Sequence, residues 1–214
     1  PTPSLILYAL AVGCRPFNAV AGLAVAALLW HRRVPWKKWI PGVCAGLAIG
    51  LCYGLYNLAR FGSFFEFGHN YLPEFTRSEH GQFSLAYFWD NAKLVFTGMP
   101  FVNGQFAQFG FNLFLANPIF LLLAVWVVAD IVRRRVRPAQ VAALVAMAAQ
   151  LFLLMLHKSF GGFQFGLRYT ADLIPCALAY FVLSGRHRRV RWGEAALMAA
   201  ALAFFAIGAL CVHI

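Results

Sequence analysis

Residues 157–175, reading HKSFGGFQFGLRYTADLIP, gather Lys158, Gln164, Arg168, Tyr169 and Asp172 between two long apolar segments. Cations, an amide, a phenol and a carboxylate in one short glycine-rich loop of an oily chain read as a binding site. Thr170 reads as the N-cap of the helix that follows, with Asp172 in its first turn. Arg168 lies four residues before Asp172 and is expected to pair with it, either closing a helix end or forming part of a substrate site. A second group, Glu66, His69 and Asn70, follows Phe61-Gly62, and Arg15 stands inside an apolar run. Arginines suit a phosphate, and a carboxylate, Glu66 or Asp172, would deprotonate an acceptor hydroxyl as a catalytic base. Arg15, His69, Asn70, Gln164, Arg168 and Tyr169 are the substrate-binding candidates, with Lys158 and Arg60 as further cations.

The elements that must position these groups are membrane helices. The 214 residues are 62% hydrophobic and 12% charged, with a mean hydropathy of +0.70 and a net charge of +11. Twelve of the 18 Lys and Arg fall in three clusters between apolar runs: Arg32, Arg33, Lys37 and Lys38; Arg133, Arg134, Arg135 and Arg137; Arg186, Arg188, Arg189 and Arg191. Such clusters mark cytoplasmic loops, and that placement argues against nucleic acid as a partner. The expected fold is an all-α polytopic membrane protein of about six or seven transmembrane helices, integral to the inner or plasma membrane. Residues 1–214 read as one transmembrane domain excerpted from a longer chain, with membrane lipids around it.

The expected spans are residues 4–30, 40–60, 113–132, 140–156, 169–183 and 192–214. Arg15-Pro16 must kink the first or split it into two short helices, leaving Arg15 to snorkel outward or to face a polar cavity. Gly42, Gly46, Gly50 and Gly54 form a small-residue stripe for close helix packing. Residues 61–112 form a long outer loop. Within it, residues 84–97 set Leu85, Phe88, Trp89, Ala92, Val95 and Phe96 on one face of an amphipathic helix lying on the bilayer, with Asp90, Asn91 and Lys93 elsewhere. His157 and His31, at span ends, read as interfacial. Cys14, Cys44, Cys52, Cys176 and Cys211 read as small core residues.

Three Phe/Gly stretches, at residues 61–71, 104–111 and 160–169, fall on the outer face in this topology. An aromatic belt explains their aromatics but not their glycines or the embedded Glu66, His69 and Arg168. Glu66, His69, Glu74, Glu79 and His80 match no metal-ligand spacing, so no cofactor is expected from them; a divalent cation held by this loop is the alternative.

The run Tyr56-Asn57-Leu58-Ala59-Arg60-Phe61-Gly62-Ser63 to Tyr71, then Gly161-Gly162-Phe163-Gln164-Phe165-Gly166-Leu167-Arg168-Tyr169 and Pro175, together with Gly13-Cys14-Arg15-Pro16, resembles the GT-C superfamily of membrane glycosyltransferases. That superfamily includes protein O-mannosyltransferases and aminoarabinose transferases. The resemblance implies sugar transfer from a polyprenyl-phosphate donor to a glycan, lipid or protein acceptor at the outer face, with Arg168 and Tyr169 toward the donor phosphate. In the family the catalytic carboxylate sits in the first outer loop, and no acidic loop precedes Arg15. The base is therefore expected upstream of this segment, or the protein is a non-catalytic relative. A transporter or flippase subunit, with Arg15, Arg60, Arg168 and Asp172 lining its path, is the rival reading.

Overall fold

The computed structural model describes residues 1–185 and 191–213. Arg186, Arg188, Arg189 and Ile214 lie outside the described residues. The chain is mostly helical: α1 (Thr2–Cys14), α2 (Gly22–His31), α3 (Ile40–Phe61), α4 (Pro73–Thr76), α5 (Phe88–Thr97), α6 (Leu113–Ala116), α7 (Ile119–Val132), α8 (Pro138–Met155), α9 (Ile174–Leu183) and α10 (Trp192–His213). A small antiparallel hairpin, β1 (Phe101–Val102) with β2 (Gln105–Phe106), interrupts the all-α expectation. Its turn is Asn103-Gly104, both at positive φ (52° and 76°), the backbone that closes a two-residue hairpin.

Among the described residues, three segments are long and apolar enough to cross a membrane: Trp36–Phe61, Pro138–Met155 and Trp192–Leu210. The other expected spans are shorter or broken. α2 continues from the 3-10 turn before it as one apolar helix over Pro16–His31, and α7 spans Ile119–Val132; both fall short of the ~20 residues that cross a ~30 Å hydrocarbon core. The run 113–132 breaks at Asn117, which is extended (φ −140°, ψ 83°) before Pro118, as a residue preceding proline prefers.

The run 4–30 splits at Arg15, also extended (φ −145°, ψ 95°), and residues 16–21 form a 3-10 turn. The turn then lies back against α1. Tyr8 donates its hydroxyl to Asn18 O (2.6 Å) and Ala19 O (3.0 Å), whereas ten residues of continuous helix would separate them by about 15 Å. α1 runs parallel to α3, since Leu5 meets Gly42, Ala9 meets Gly46 and the Tyr53 ring meets Gly13. The glycine stripe thus serves close packing at Gly42 and Gly46, while Gly54 lies under the Phe64 ring and Gly50 faces open space.

Two cores tie the rest together. Ala21, Ala24, Ala143, Ala146 and Ala179 let α2, α8 and α9 approach closely. Val95, Leu113, Phe120, Leu154, Phe160, Leu167, Leu173 and Tyr180 join α5 through α9 and the Phe/Gly loop. Cys176 is buried as expected, but Cys14, Cys44 and Cys52 face outward from their helices.

The long loop carries structure of its own, and its helix α5 is not simply a raft on the bilayer. Val95 is fully buried against the core while Leu85, Trp89 and Phe96 are exposed. Asn91, expected on the polar side, turns inward: its Nδ2 donates to Met155 O (2.9 Å) and His157 O (2.7 Å), satisfying carbonyls at the C-terminal end of α8. Asn91→Leu is expected to cost about 2–3 kcal/mol by orphaning both acceptors, read as a fall in the denaturant midpoint in micelles.

The 104–111 and 160–169 Phe/Gly stretches pack on each other. Gln164 N–H donates to Gln108 O (2.9 Å), and Phe165 lies against Phe106, Phe111 and Phe204. Gly110, at φ 106°, approaches so closely that a Cβ would lie 2.7 Å from Gly166 O.

Candidate functional site

Where α1 gives way to the 3-10 turn, the chain leaves a cavity of about 680 Å³. Its walls come from Arg15 to Phe17 in the break, residues 65–70 of the long loop, Gln82 and Phe83, the end of α8, and Arg168 with Tyr169. Arg15, Glu66, His69, Asn70, Arg168 and Tyr169 therefore share one cavity although they are spread over more than 150 residues of sequence. Gln164 does not line it. The Gln164 side chain is buried in its own loop, where Nε2 donates to Phe160 O (2.9 Å), so its position makes it a staple of that loop. Lys158 is directed to Glu74 O, and Arg60 stacks over Phe61.

The expected Arg168–Asp172 pair is replaced by Arg15–Asp172, at 3.1 Å. The reason is local geometry. Residues 168–173 form a 3-10 helix, not the first turn of an α-helix, and at three residues per turn positions four apart lie about 120° apart around the axis. Thr170 is consequently not an N-cap; its hydroxyl donates to Leu167 O (2.6 Å) and accepts from Asn117 Nδ2 (2.9 Å). α9 begins only at Ile174, with Pro175 in its first turn.

Asp172 is buried, and its Oδ2 meets no hydrogen-bond donor among the described residues. Arg15, with its side chain 35% exposed, keeps access to the cavity while holding the other oxygen. Its guanidinium lies 5.0 Å from the centre of the Tyr169 ring, and that of Arg168 lies 5.5 Å from the same centre. One phenol thus gathers two cations, a favourable arrangement because the ring face is electron-rich. Arg168 is exposed, and among the described residues no carboxylate lies within ion-pair distance of it. It is free to meet an anion.

Glu66 sits across the cavity. Its carboxylate accepts from Asn70 Nδ2 and from Gly68 N–H, both at 2.7 Å. The Asn70 bond, with help from the backbone amides, holds its pKa below the ordinary glutamate range. Glu66 and Asn70 thereby fix the turn that presents His69, and a carboxylate so stabilised is a poor base. Among the described residues no three His, Cys, Asp or Glu side chains approach closely enough to share a metal ion.

His157 is the residue that sequence reasoning misplaced. It is not interfacial but buried, ringed by Phe17, Phe75, Phe83 and Tyr169 at centroid separations of 4.9 to 6.4 Å. His157 Nδ1 lies 2.5 Å from Ser159 O and 3.2 Å from Ser159 N, and Nε2 lies 3.0 Å from Gln82 Nε2, a set of partners that suits the neutral ring. Burial, with the positive field of His69 adding to it, pushes its pKa below the ordinary histidine value of about 6.5. The unfolded chain therefore binds this proton first. Stability is expected to be flat above about pH 6.5 and to fall as the pH drops from there through the lower folded value. Thermal unfolding across pH 5–8 should show that slope in the wild type and lose it in His157→Gln.

A second, apolar cavity of about 680 Å³ runs between α1 and α3 along Leu5, Ala9, Val12, Gly46 and Leu51. It shares Pro16, Phe65 and Phe67 with the first cavity, so the two adjoin, the first lined by Arg15, Glu66 and Arg168 and the second by apolar side chains and glycines.

No family model, no curated protein and no solved structure matches the chain.

Proposed function

We propose that this chain is the membrane domain of a glycosyltransferase of GT-C type that takes its sugar from a polyprenyl-phosphate donor and passes it to a glycan, lipid or protein acceptor at the extracytoplasmic face. The observation that carries this reading is the pair of adjoining cavities. An anionic head beside Arg168 and Arg15, with an isoprenoid chain leaving past Phe65 and Phe67 into the groove between α1 and α3, matches the charge at one end and the apolarity at the other.

In this reading the bond between the anomeric carbon and the phosphate oxygen breaks, and the leaving polyprenyl phosphate gathers negative charge near the two guanidiniums. The acceptor hydroxyl forms the new glycosidic bond and gives up its proton. Asp172 is committed to Arg15 and Glu66 to Asn70 and Gly68, so the part these residues play is positioning and charge, with the base supplied from outside this segment. The membrane arrangement proposed with it is multi-pass, of six or seven segments counting the short helices, with the arginine clusters cytoplasmic and the polar cavity at the opposite face.

The test is transfer of labelled sugar from polyprenyl-phosphate donors by the intact protein in membranes. Transfer that Arg168→Ala removes at matched expression supports the proposal. Movement of a lipid-linked substrate across vesicles with no transfer from any polyprenyl donor would replace it with the flippase reading.

A further inference from the structure

The opposite end of the helices carries another cavity, of about 720 Å³, enclosed by α7, α8, the end of α9 and the start of α10. It is separate from the site above: Gln140 in the first turn of α8 lines it, His157 just past the other end of α8 lines the first, and 17 residues of helical rise put about 25 Å between them. The link from α7 to α8 is a run of arginines, and its backbone sorts them. Arg134 is in the left-handed region (φ 52°) and does not line the cavity, while Arg133, Arg135 and Arg137 do. Arg191 enters from the far wall.

Two carboxylates face these four guanidiniums. Asp130, buried, accepts from Gln140 Nε2 (3.1 Å) and from the Tyr180 hydroxyl (3.0 Å). Glu194 accepts from Arg191 N–H (3.0 Å), capping the start of α10. Arg137 reaches Leu183 O (3.4 Å), which anchors that side chain at the end of α9. Among the described residues the lining carries more arginines than carboxylates, with a planar donor fork on Arg133 and another on Arg135. The wall is apolar at Val125 and Trp126, and Val125 continues into the exposed apolar face of α7 at Val128 and Val132.

We propose that this cavity binds a phosphate group, held by Arg133 and Arg135. Two sources supply that chemistry, the phosphodiester of an anionic lipid whose chains lie along α7, and a soluble phosphate compound. Neither involves the aromatic cavity, so the proposal stands apart from the glycosyltransferase reading.

The intact protein in nanodiscs or detergent would be measured by native mass spectrometry and thermal unfolding with phosphatidylglycerol, phosphatidylcholine or inorganic phosphate. The expected result is retention of phosphatidylglycerol about tenfold or more above phosphatidylcholine. Arg133→Gln/Arg135→Gln should abolish that preference, Arg133→Lys/Arg135→Lys should keep part of it, and Arg32→Gln/Lys37→Gln, which removes equal charge from another loop, should leave it intact. A stabilisation by inorganic phosphate that depends on Arg133 and Arg135, without lipid preference, assigns the soluble source. Equal retention of both lipids with no phosphate effect, or equal losses in the two glutamine variants, overturns the proposal.

Discussion

Arg15→Ala is expected to destabilise the protein by about 3 kcal/mol, because it leaves the Asp172 carboxylate buried with neither oxygen paired. The figure sits at the low end for a broken buried pair since Arg15 is one-third exposed and part of its attraction is screened by solvent. The asymmetry of the pair gives a sharper check. Asp172→Asn should cost less than Arg15→Ala, because the exposed guanidinium can turn to water and the neutral amide tolerates burial. Arg15→Leu/Asp172→Asn should recover much of the loss, while still removing one of the cavity's cations. Chemical unfolding of the four proteins in one detergent gives the cycle; an unchanged midpoint in Arg15→Ala would mean that the pair does not hold the break between α1 and the 3-10 turn.

Arg168→Ala is expected to act on function and leave the fold alone. The side chain is exposed and its one described contact is with the Tyr169 ring, so the melting temperature should barely move. If Arg168 meets the donor phosphate, transfer should drop by about a hundredfold, the usual effect of deleting one preorganised donor to developing negative charge. Arg168→Lys should retain part of the rate, because it keeps the charge and loses the planar fork. A large loss of stability with no specific loss of rate per folded molecule would reassign Arg168 to structure.

Some of this was legible in the sequence. The break at Arg15-Pro16 follows from the missing proline donor, and the glycine stripe on α3 from its four-residue spacing. The gathering of Glu66, His69, Asn70, Arg168 and Tyr169 followed from placing two Phe/Gly stretches at one end of the helices. The errors have physical sources. Four-residue spacing implied a 168–172 pair only if the segment were α-helical, and the 3-10 winding rotates Asp172 away to Arg15. Apolar length counted 113–132 as one continuous span, whereas Asn117-Pro118 interrupts it, and the run 169–183 is helical throughout but opens as a 3-10 helix. His157 carried no local signal, since its burial depends on aromatic residues from distant parts of the chain. Asn103-Gly104 did carry one, the turn pair of a two-residue hairpin, masked by the long loop around it.

The central claim is that the adjoining cavities hold an amphiphile by an anionic head and an apolar chain. It is tested most directly by measuring binding of a polyprenyl phosphate and of the matching polyprenol to the protein in nanodiscs, in the wild type and in Arg168→Ala. Binding that is tighter for the phosphate than for the alcohol, that loses at least tenfold for the phosphate in the variant, and that falls for both compounds when Gly50→Leu fills the groove is the expected result. Equal binding of the phosphate and the alcohol, indifferent to Arg168, would contradict it.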